Sequence, residues 1–421
     1  MSSAVDPARP GHGDERAHAG DVDPVDLAVE LIRIDSTNPD LVAGGAGEAA
    51  VAAHAAAWLR ARGFRVRVLE GTPGRPTVLA TARGTGGGRT ILLDGHLDTV
   101  PPGDPVRGGT APVVEDRRLL GRGAFDMKAG LAAMMVAADR ARRIGTRGDV
   151  VLALVADEEF ASIGTEEALR ALAADGTVVD GAVISEPSQS EAIVAHRGFG
   201  WYEVRLRGRA AHGSMPEQGV DAIAHAGLVL RELDALAGRL ADGPRHPLLG
   251  TGAVRVSRIH GGSDAATVAD ACVLTVERRF LPGQSTAEVE AELRAALSAV
   301  AARTPGMAAE LVVLVARAAF EADIEGPLAR AVLDSGARVT GAPVPHRGEP
   351  FWTDAGLVQE AGIPCILLGV TGGGAHADEE WAEVDSVRRL ADVLEGAILD
   401  FCGSVGDAEA EAEAAPPVAA G

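Results

Sequence analysis

Short apolar runs bounded by turn-forming residues recur in the first and last parts of the chain. The clearest of these runs lie at 77–82, 90–93, 150–155, 182–184 and 365–368. Continuous apolar runs of this length are typical of strands buried on both faces, as in a parallel sheet. Stretches with helical periodicity lie at 127–143, 166–174 and 327–335. The pattern predicts an α/β domain with a mainly parallel central sheet and crossover helices.

The middle of the chain follows a different order of elements. It reads as strand 200–207, helix 219–240, strand 253–259, strand 271–280, helix 286–303 and strand 310–315. This β-α-β-β-α-β order is typical of a ferredoxin-like domain. Because predicted sheet strands lie on both sides of it, we expect the segment 196–318 to be inserted into an α/β domain formed by 22–195 and 319–403. Residues 1–21 and 404–421 lack apolar periodicity and are predicted to be disordered ends.

Composition and charge exclude several classes of protein. There are 39 basic and 60 acidic residues, giving a net charge of −21. Nucleic-acid and anionic-membrane binding need clustered cations, so neither is expected here. The apolar runs are too short for a membrane span. The three cysteines are far apart and form no metal-binding or disulfide pattern, which favours a cytoplasmic protein.

Histidines and carboxylates follow the predicted strands. The candidate residues are His96 and Asp98 after 90–93, Glu158 and Glu159 after 150–155, Glu186 after 182–184, His376 after 365–368, and Asp126 between the first two groups. Ligands of open α/β sheets bind beyond the carboxyl ends of the strands, so these side chains should share one cleft. Clustered carboxylates need cations, and two imidazoles with several carboxylates suit two zinc ions sharing a bridging carboxylate. Such a metal pair activates water and polarises a carbonyl, which favours a metallohydrolase.

Five motifs then occur in a characteristic order. They are GHLDTVP at 95–101, GRGAFDMKAG at 121–130, DEE at 157–159, SEP at 185–187 and GGGAHADEEW at 372–381. Together they resemble the dizinc family of aminoacylase, acetylornithine deacetylase, succinyl-diaminopimelate desuccinylase and carboxypeptidase G. The resemblance covers roughly residues 25–403. It implies a zinc-peptidase-like catalytic domain and makes the inserted segment a lid and dimerisation domain.

The resemblance also implies a ligand set for two Zn²⁺ ions per subunit. His96 and Glu186 would bind one ion, Glu159 and His376 the other, and Asp126 would bridge both. Co²⁺ or Mn²⁺ could occupy the same mixed nitrogen and oxygen sites.

Further roles follow from the same motifs. Asp98 would accept the ring N–H of His96 and so fix its tautomer. Glu158 would be the general base that takes a proton from water and passes it to the leaving nitrogen. The family also carries a cis peptide after the bridging aspartate, here between Asp126 and Met127.

Two residues of the inserted segment complete the expected site. His212, in AAHGSMP at 210–216, matches a histidine that stabilises the oxyanion of the partner's active site in dimeric relatives, which implies a homodimer. Arg279, in ERRFLPG at 277–283, matches an arginine that binds the substrate carboxylate in a bidentate pair. The chain departs from the family at 266–269, where ATVA replaces an Asn-x-Val-Pro stretch.

Structural alternatives exist for each residue taken alone. A His-x-Asp pair is often only a turn, Asp126 could be a helix N-cap, and the glutamate pair could complement a helix dipole. Glu186 could belong to a Glu-Pro turn, His212 to a surface loop, and Arg279 to an ordinary strand. The ordered set of motifs favours the metal site.

The sequence therefore predicts a metal-dependent hydrolase that cleaves the amide bond of N-acyl amino acids. A dipeptidase or carboxypeptidase that releases a C-terminal residue remains open, because one site hydrolyses both kinds of amide. A non-catalytic dimeric binding protein is the remote alternative. Such a protein would be expected to lack at least one ligand or the base.

Overall fold

A computed structural model describes residues 22–103 and 109–406. The predicted disordered ends therefore lie outside the described residues, apart from 404–406. Within that short segment, Ser404 forms an isolated bridge with Thr146.

The described residues form nine α-helices. Their bounds are α1 Pro24–Ile32, α2 Ala49–Ala61, α3 Lys128–Ile144, α4 Ile163–Ala174, α5 Ala222–Ala241, α6 Thr286–Ala302, α7 Pro327–Thr340, α8 Ala355–Glu360 and α9 Val384–Cys402. Of the helices in this part of the chain, none is long and apolar enough to span a membrane.

The strands follow the predicted runs closely and add several short ones. Their bounds are β1 Arg65–Leu69, β2 Thr77–Ala82, β3 Ile91–His96, β4 Val113–Glu115, β5 Arg118–Leu120, β6 Val150–Val155, β7 Gly181–Ile184, β8 Ala192–His196, β9 Gly198–Arg207, β10 Ala253–Gly261, β11 Ala271–Phe280, β12 Ala308–Arg317, β13 Phe320–Glu321, β14 His346–Glu349, β15 Cys365–Leu367, β16 Gly372–Gly373 and β17 Trp381–Glu383.

The largest sheet has nine strands in the order β1-β2-β6-β3-β7-β15-β8-β13, with β14 also pairing to β8. Its centre, β6-β3-β7-β15, is parallel. Antiparallel pairs flank this centre, with β1 and β2 on one side and β8 and β13 on the other. The predicted α/β fold with a mainly parallel central sheet is confirmed.

Both faces of this sheet are covered by helices, which explains its continuous apolar runs. Successive residues of β6 alternate between two hydrophobic clusters: Leu152 packs with α1, α3, α7 and α9, whereas Val151 packs with α4 and α8. Helices cover both faces, so the parallel strands are apolar except in the second half of β3, where Asp94 and His96 lie.

A separate four-stranded antiparallel sheet has the order β10-β11-β9-β12. With α5 and α6 it follows the predicted β-α-β-β-α-β order, and its strand arrangement is that of a ferredoxin-like unit. One face packs its own core against α5 and α6, through residues such as Tyr202, Leu274 and Leu293. The opposite face, near the carboxyl edge of the large sheet, carries Phe199, Trp201 and Arg279.

A third, small sheet was not foreseen from the pattern. It joins β16, β17, β5 and β4, whose lengths are two or three residues each. It connects the loop that contains His376 with the loop that leads to Asp126, and so fixes two distant parts of the chain relative to each other.

Candidate active site

The five predicted metal ligands meet at one edge of the nine-stranded sheet. His96 is the last residue of β3, while Glu159 and Glu186 follow β6 and β7. Because these strands are parallel neighbours, their carboxyl ends lie side by side. Asp126 precedes α3, and His376 lies in the loop between β16 and β17.

Asp126 lies between the two histidines. Its Oδ1 is 3.0 Å from His96 Nε2, and its Oδ2 is 3.5 Å from His376 Nε2. Glu159 Oε2 is 3.0 Å from the same His376 nitrogen, and Glu186 Oε1 is 3.8 Å from His96 Nε2. One carboxylate shared by two imidazoles, each with a further carboxylate, suits two cations with Asp126 between them.

The hydrogen bonds of His96 determine which nitrogen faces the cluster. Its Nδ1 is 2.9 Å from the backbone carbonyl of Asp98, an oxygen that can only accept. Nδ1 must therefore carry a proton, and in the neutral ring the lone pair of Nε2 is directed at the carboxylates. Carboxylate oxygens 3.0 and 3.8 Å from Nε2 require a positive charge at this nitrogen, supplied either by a second ring proton or by a metal ion bound to the lone pair.

The electrostatics of the cluster also favour bound cations. Burial, followed by repulsion from Glu186, raises the pKa of Glu158 well above its ordinary value. Burial also raises the pKa of Glu186. Hydrogen bonds with Asp126 and Glu159 raise the pKa of His376 to about 10. Ligand atoms of His96, Glu158 and Glu186 lie within 4.8 Å of one another, as do those of His96, Asp126 and Glu159. This donor set fits metal ions.

Asp98 contacts His96 through a different atom from the one expected. The Asp98 carboxylate is 3.7 Å from His96 Nδ1, farther than its carbonyl oxygen. The carboxylate instead accepts from Asn38 Nδ2 at 2.8 Å and from the backbone N–H groups of Glu158 and Glu159 at 3.1 and 3.2 Å. Asp98 thus fixes the ring of His96 by its main chain and the glutamate pair by its side chain.

A buried polar network behind the cluster was missed in the sequence. Arg75 donates to Glu48 at 2.8 and 2.7 Å and to Asp157 Oδ1 at 2.8 Å. Asn38 joins Asp157 to Asp98 by donating to both carboxylates, at 3.0 and 2.8 Å. These partners are 27 to 119 positions apart, so no local spacing could have revealed the network.

Glu380 was also missed, although it lies within the last motif. Its carboxylate is buried and accepts from the N–H groups of Gly123, Phe125 and Asp126 at 2.8 to 3.0 Å. Arg122 donates to the same carboxylate at 2.7 Å. Glu380 therefore holds the loop that carries the central aspartate.

Two backbone features occur beside Asp126, one in its own peptide bond and one in the helix that follows. The peptide bond between Asp126 and Met127 is cis, as predicted. Downstream in α3, a Cβ atom on Gly130 would lie only 2.3 Å from the carbonyl oxygen of Ser185. A glycine at this position lets the start of α3 approach the segment that carries Glu186.

A pocket of about 250 Å³ opens over the cluster. Asp126, Glu158, Glu159, Glu186 and His376 line its floor. The four-stranded sheet contributes Arg279, whose Nη2 and Nε are 2.9 and 3.1 Å from Glu277 Oε1. The predicted substrate-binding arginine thus lies in the same pocket as the predicted base.

His212 does not line this pocket in its own chain. It is exposed, and it forms a bridge with Thr267, in the stretch that departs from the family pattern. The N–H of Ser214 donates to His212 Nδ1 at 3.2 Å. An N–H can only donate, so Nδ1 is the acceptor, and in the neutral ring the proton lies on Nε2.

A buried histidine supports the back of the pocket. His196 ends β8 and packs against Phe320 and Trp352, with ring centroids 5.2 and 6.1 Å away. Its Nδ1 is 3.1 Å from the carbonyl oxygen of Arg197. Burial lowers the pKa of His196 to about 4.

The comparison with protein families identifies the group to which these features belong. Residues 92–400 match the family described as peptidase family M20/M25/M40. The chain belongs to this family. The resemblance drawn from the five motifs is confirmed, and the chain is a metallo-amidohydrolase.

Curated relatives are similar along nearly the whole chain. A succinyl-diaminopimelate desuccinylase of Parvibaculum lavamentivorans is 30% identical over 399 residues, covering 91% of this chain and 96% of the relative. An acetylornithine deacetylase of Vibrio campbellii is 28% identical over 380 residues, covering 88% and 95%.

The fold is shared with solved structures. An aminopeptidase of Bacillus cereus superposes with a TM-score of 0.71 at 21% identity, covering 90% of this chain and 98% of that protein. At this identity the likeness concerns the fold alone.

Replacing Arg75 by methionine should destabilise the protein strongly. The substitution leaves Glu48 and Asp157 buried without their cation, and breaking a buried ion pair in this way costs about 3–5 kcal/mol. Urea unfolding followed by circular dichroism measures the loss. The matched control is Arg67→Met, which removes an exposed pair with Asp175 and should cost less than about 1 kcal/mol. Equal losses in the two variants would contradict the role of the network.

His196 should make the protein sensitive to acid. The unfolded state binds the proton at a pKa near the ordinary 6.5, whereas the folded state does so only at about 4. Stability is therefore lost as the pH falls from 6.5 to 4, by about 3 kcal/mol from this group. The difference in unfolding free energy between the wild type and His196→Gln should change by that amount between pH 6.5 and pH 4. Parallel profiles would show that His196 does not titrate in this way.

Proposed function

We propose that this protein removes the acyl group from an N-acyl amino acid, using two metal ions and Glu158 as general base. The observation that supports the proposal most is the position of the Asp126 carboxylate between His96 and His376, with Glu158 beside one of them. His96 and Glu186 would hold one ion, and Glu159 and His376 the other. Zn²⁺ is the expected metal, with Co²⁺ or Mn²⁺ as substitutes.

The bound metals would supply an acidified water and polarise the scissile carbonyl. Among the protein groups, Glu158 would carry out the proton transfers. Its carboxylate lies within 4.8 Å of ligand atoms of His96 and Glu186, where it could accept a proton from a water held at the site. It would take a proton from the attacking water and deliver it to the leaving nitrogen, so that the amino acid departs as an amine.

Arg279 would hold the carboxylate of the amino-acid half. Glu277 contacts one edge of its guanidinium and fixes its orientation. An arginine fork and a carboxylate form two parallel hydrogen bonds, which would set the distance between the substrate carboxylate and the scissile amide.

His212 would act in the site of a second subunit. It lies away from the pocket of its own chain, and its proton on Nε2 makes it a suitable donor to a developing oxyanion. The proposal therefore includes a homodimer, in which the four-stranded sheet is a lid and dimerisation unit.

Peptide hydrolysis is the alternative reaction of the same site. Arg279 could equally bind the C-terminal carboxylate of a dipeptide or longer peptide, so a dipeptidase or carboxypeptidase uses the same residues.

A binding protein without activity is disfavoured because every predicted ligand and the base are present. A panel of N-acetyl amino acids, N-succinyl amino acids and dipeptides distinguishes deacylation from peptide hydrolysis.

Glu158→Gln should reduce kcat by about 10²–10⁴-fold, because the amide cannot accept the proton of the water. Both metals should remain bound, as measured by plasma mass spectrometry on the purified protein. Chelation of the wild type should abolish turnover, and added Zn²⁺, Co²⁺ or Mn²⁺ should restore it. The matched control is Glu360→Gln at the exposed end of α8, which should behave as wild type. Near-normal turnover in Glu158→Gln would refute the assignment of the base.

His212→Ala should reduce kcat by about 10²–10³-fold, the usual cost of losing an oxyanion donor, with little loss of metal. If the histidine acts across the dimer, a heterodimer of His212→Ala and Glu158→Gln chains contains one intact site. Purified heterodimers should then recover about half of the wild-type activity. A heterodimer as inactive as its two parents would argue against action in trans.

A further inference from the structure

The few aromatic residues of this chain are concentrated at the pocket. The chain has eight Phe, four Trp and one Tyr. Five of them line the pocket, namely Phe160, Phe199, Trp201, Phe351 and Trp352, and we call these residues the aromatic wall. Because these rings lie over the metal cluster, they indicate the chemical nature of the substrate group that binds beside the scissile bond.

The inner part of the aromatic wall is held rigidly. Trp352 donates from Nε1 to the carbonyl oxygen of Ala318 at 2.8 Å. Phe199 packs edge-on against Trp352 with ring centroids 5.6 Å apart, and tilted against Trp201 at 5.1 Å. Rings at these distances stabilise one another. Phe199 and Trp352 therefore form a preformed apolar surface that does not depend on a ligand.

The outer part of the aromatic wall is exposed although its residues are large and apolar. Trp201 is 38% exposed, Phe351 42% and Phe160 49%. An exposed apolar patch that adjoins a catalytic cluster is typical of a ligand-binding surface. A bound apolar group would cover these three rings.

The charges beside the aromatic wall disfavour a cationic group. The acidic residues among the described lining residues are Asp126, Glu158, Glu159 and Glu186, all in the metal cluster. The remaining charged lining residues are cations, Arg279 and Arg317. A substrate ammonium placed against this wall would lose water and be repelled by these two guanidinium groups, which is costly. The nearby Glu277 carboxylate is already paired with Arg279 and Arg255.

The ring and the carboxylate of the substrate belong to the same half of the molecule. The guanidinium carbon of Arg279 lies 5.2 Å from the centroid of Phe199. The carboxylate bound by Arg279 is therefore adjacent to the aromatic wall. In an N-acyl amino acid the side chain is attached to the carbon that bears this carboxylate, so the side chain would meet the rings.

We propose that the preferred substrates are N-acyl amino acids with an aromatic side chain, and that N-acyl amino acids with a cationic side chain are poor substrates. This inference rests on the proposed function and specifies its substrate. It separates this chain from the substrates named for its relatives, acetylornithine and succinyl-diaminopimelate, both of which carry an amino group at the far end of the side chain.

A comparison of kcat/KM for three N-acetyl amino acids on the metal-loaded protein tests this preference. N-acetyl-phenylalanine should exceed N-acetyl-norleucine by about tenfold, the value of extra apolar contact in a pocket. N-acetyl-norleucine should exceed N-acetyl-ornithine by about 100-fold, because these side chains are similar in length and differ in charge. N-benzoyl-glycine, which carries the ring on the acyl half, should be a poor substrate.

Substitutions in the exposed part of the aromatic wall test whether these rings cause the preference for an aromatic side chain. Trp201→Leu and Phe351→Leu should each lower kcat/KM for N-acetyl-phenylalanine about tenfold, mainly through KM, and change the value for N-acetyl-norleucine less than threefold. The matched control is Trp58→Leu on α2, where the indole packs under Arg62 outside the pocket. Equal losses for both substrates would indicate a structural effect and overturn the proposal.

The outcomes separate this inference from the proposed function. Turnover of N-acetyl-ornithine that equals or exceeds that of N-acetyl-phenylalanine would leave a deacylase and overturn the aromatic preference, as would preference for N-benzoyl-glycine. If no acyl amino acid is hydrolysed, calorimetric titration of the Glu158→Gln protein with the same compounds shows whether the pocket still prefers an aromatic side chain. Selective binding of N-acetyl-phenylalanine would uphold the aromatic preference while the proposed function fails, and its absence would overturn both.

Discussion

Repulsion among clustered carboxylates is the constraint around which this molecule is built. Asp126, Glu158, Glu159 and Glu186 lie together at one edge of the nine-stranded sheet, where Glu186 is buried and the other three are half-buried. Burial raises the pKa of Glu158 and of Glu186. The folded chain must keep such groups in place before any metal binds. It does so with backbone donors, with the Asp98 carboxylate that fixes the glutamate pair, and with a buried guanidinium behind them.

Much of the fold and of the cluster could be predicted because both depend on local patterns. Runs such as Val150–Val155 are apolar throughout because helices cover both faces of the sheet, and polar residues therefore mark the strand ends. Parallel pairing then brings His96 and Glu159 to one edge without further information.

The supporting contacts could not be predicted because they join distant residues with ordinary local surroundings. Arg75 and Asp157 are 82 positions apart, and Arg122 and Glu380 are 258 apart. Nothing in the spacing distinguishes these residues from surface ion pairs. The atom by which Asp98 contacts His96 was likewise decided by the backbone path rather than by the His-x-Asp pattern.

The residues that line the pocket come from two parts of the fold with separate cores. The metal cluster is carried by the large sheet and its loops, while Phe199, Trp201 and Arg279 belong to strands of the four-stranded sheet, which packs its own separate core. Substitutions on the pocket-facing side of that sheet can alter which molecule is held without disturbing the groups that break the bond. Part of the substrate-binding surface is thus carried by a unit with its own core, so evolution can change substrate preference through that unit while the carboxylate and histidine cluster of the large sheet is retained.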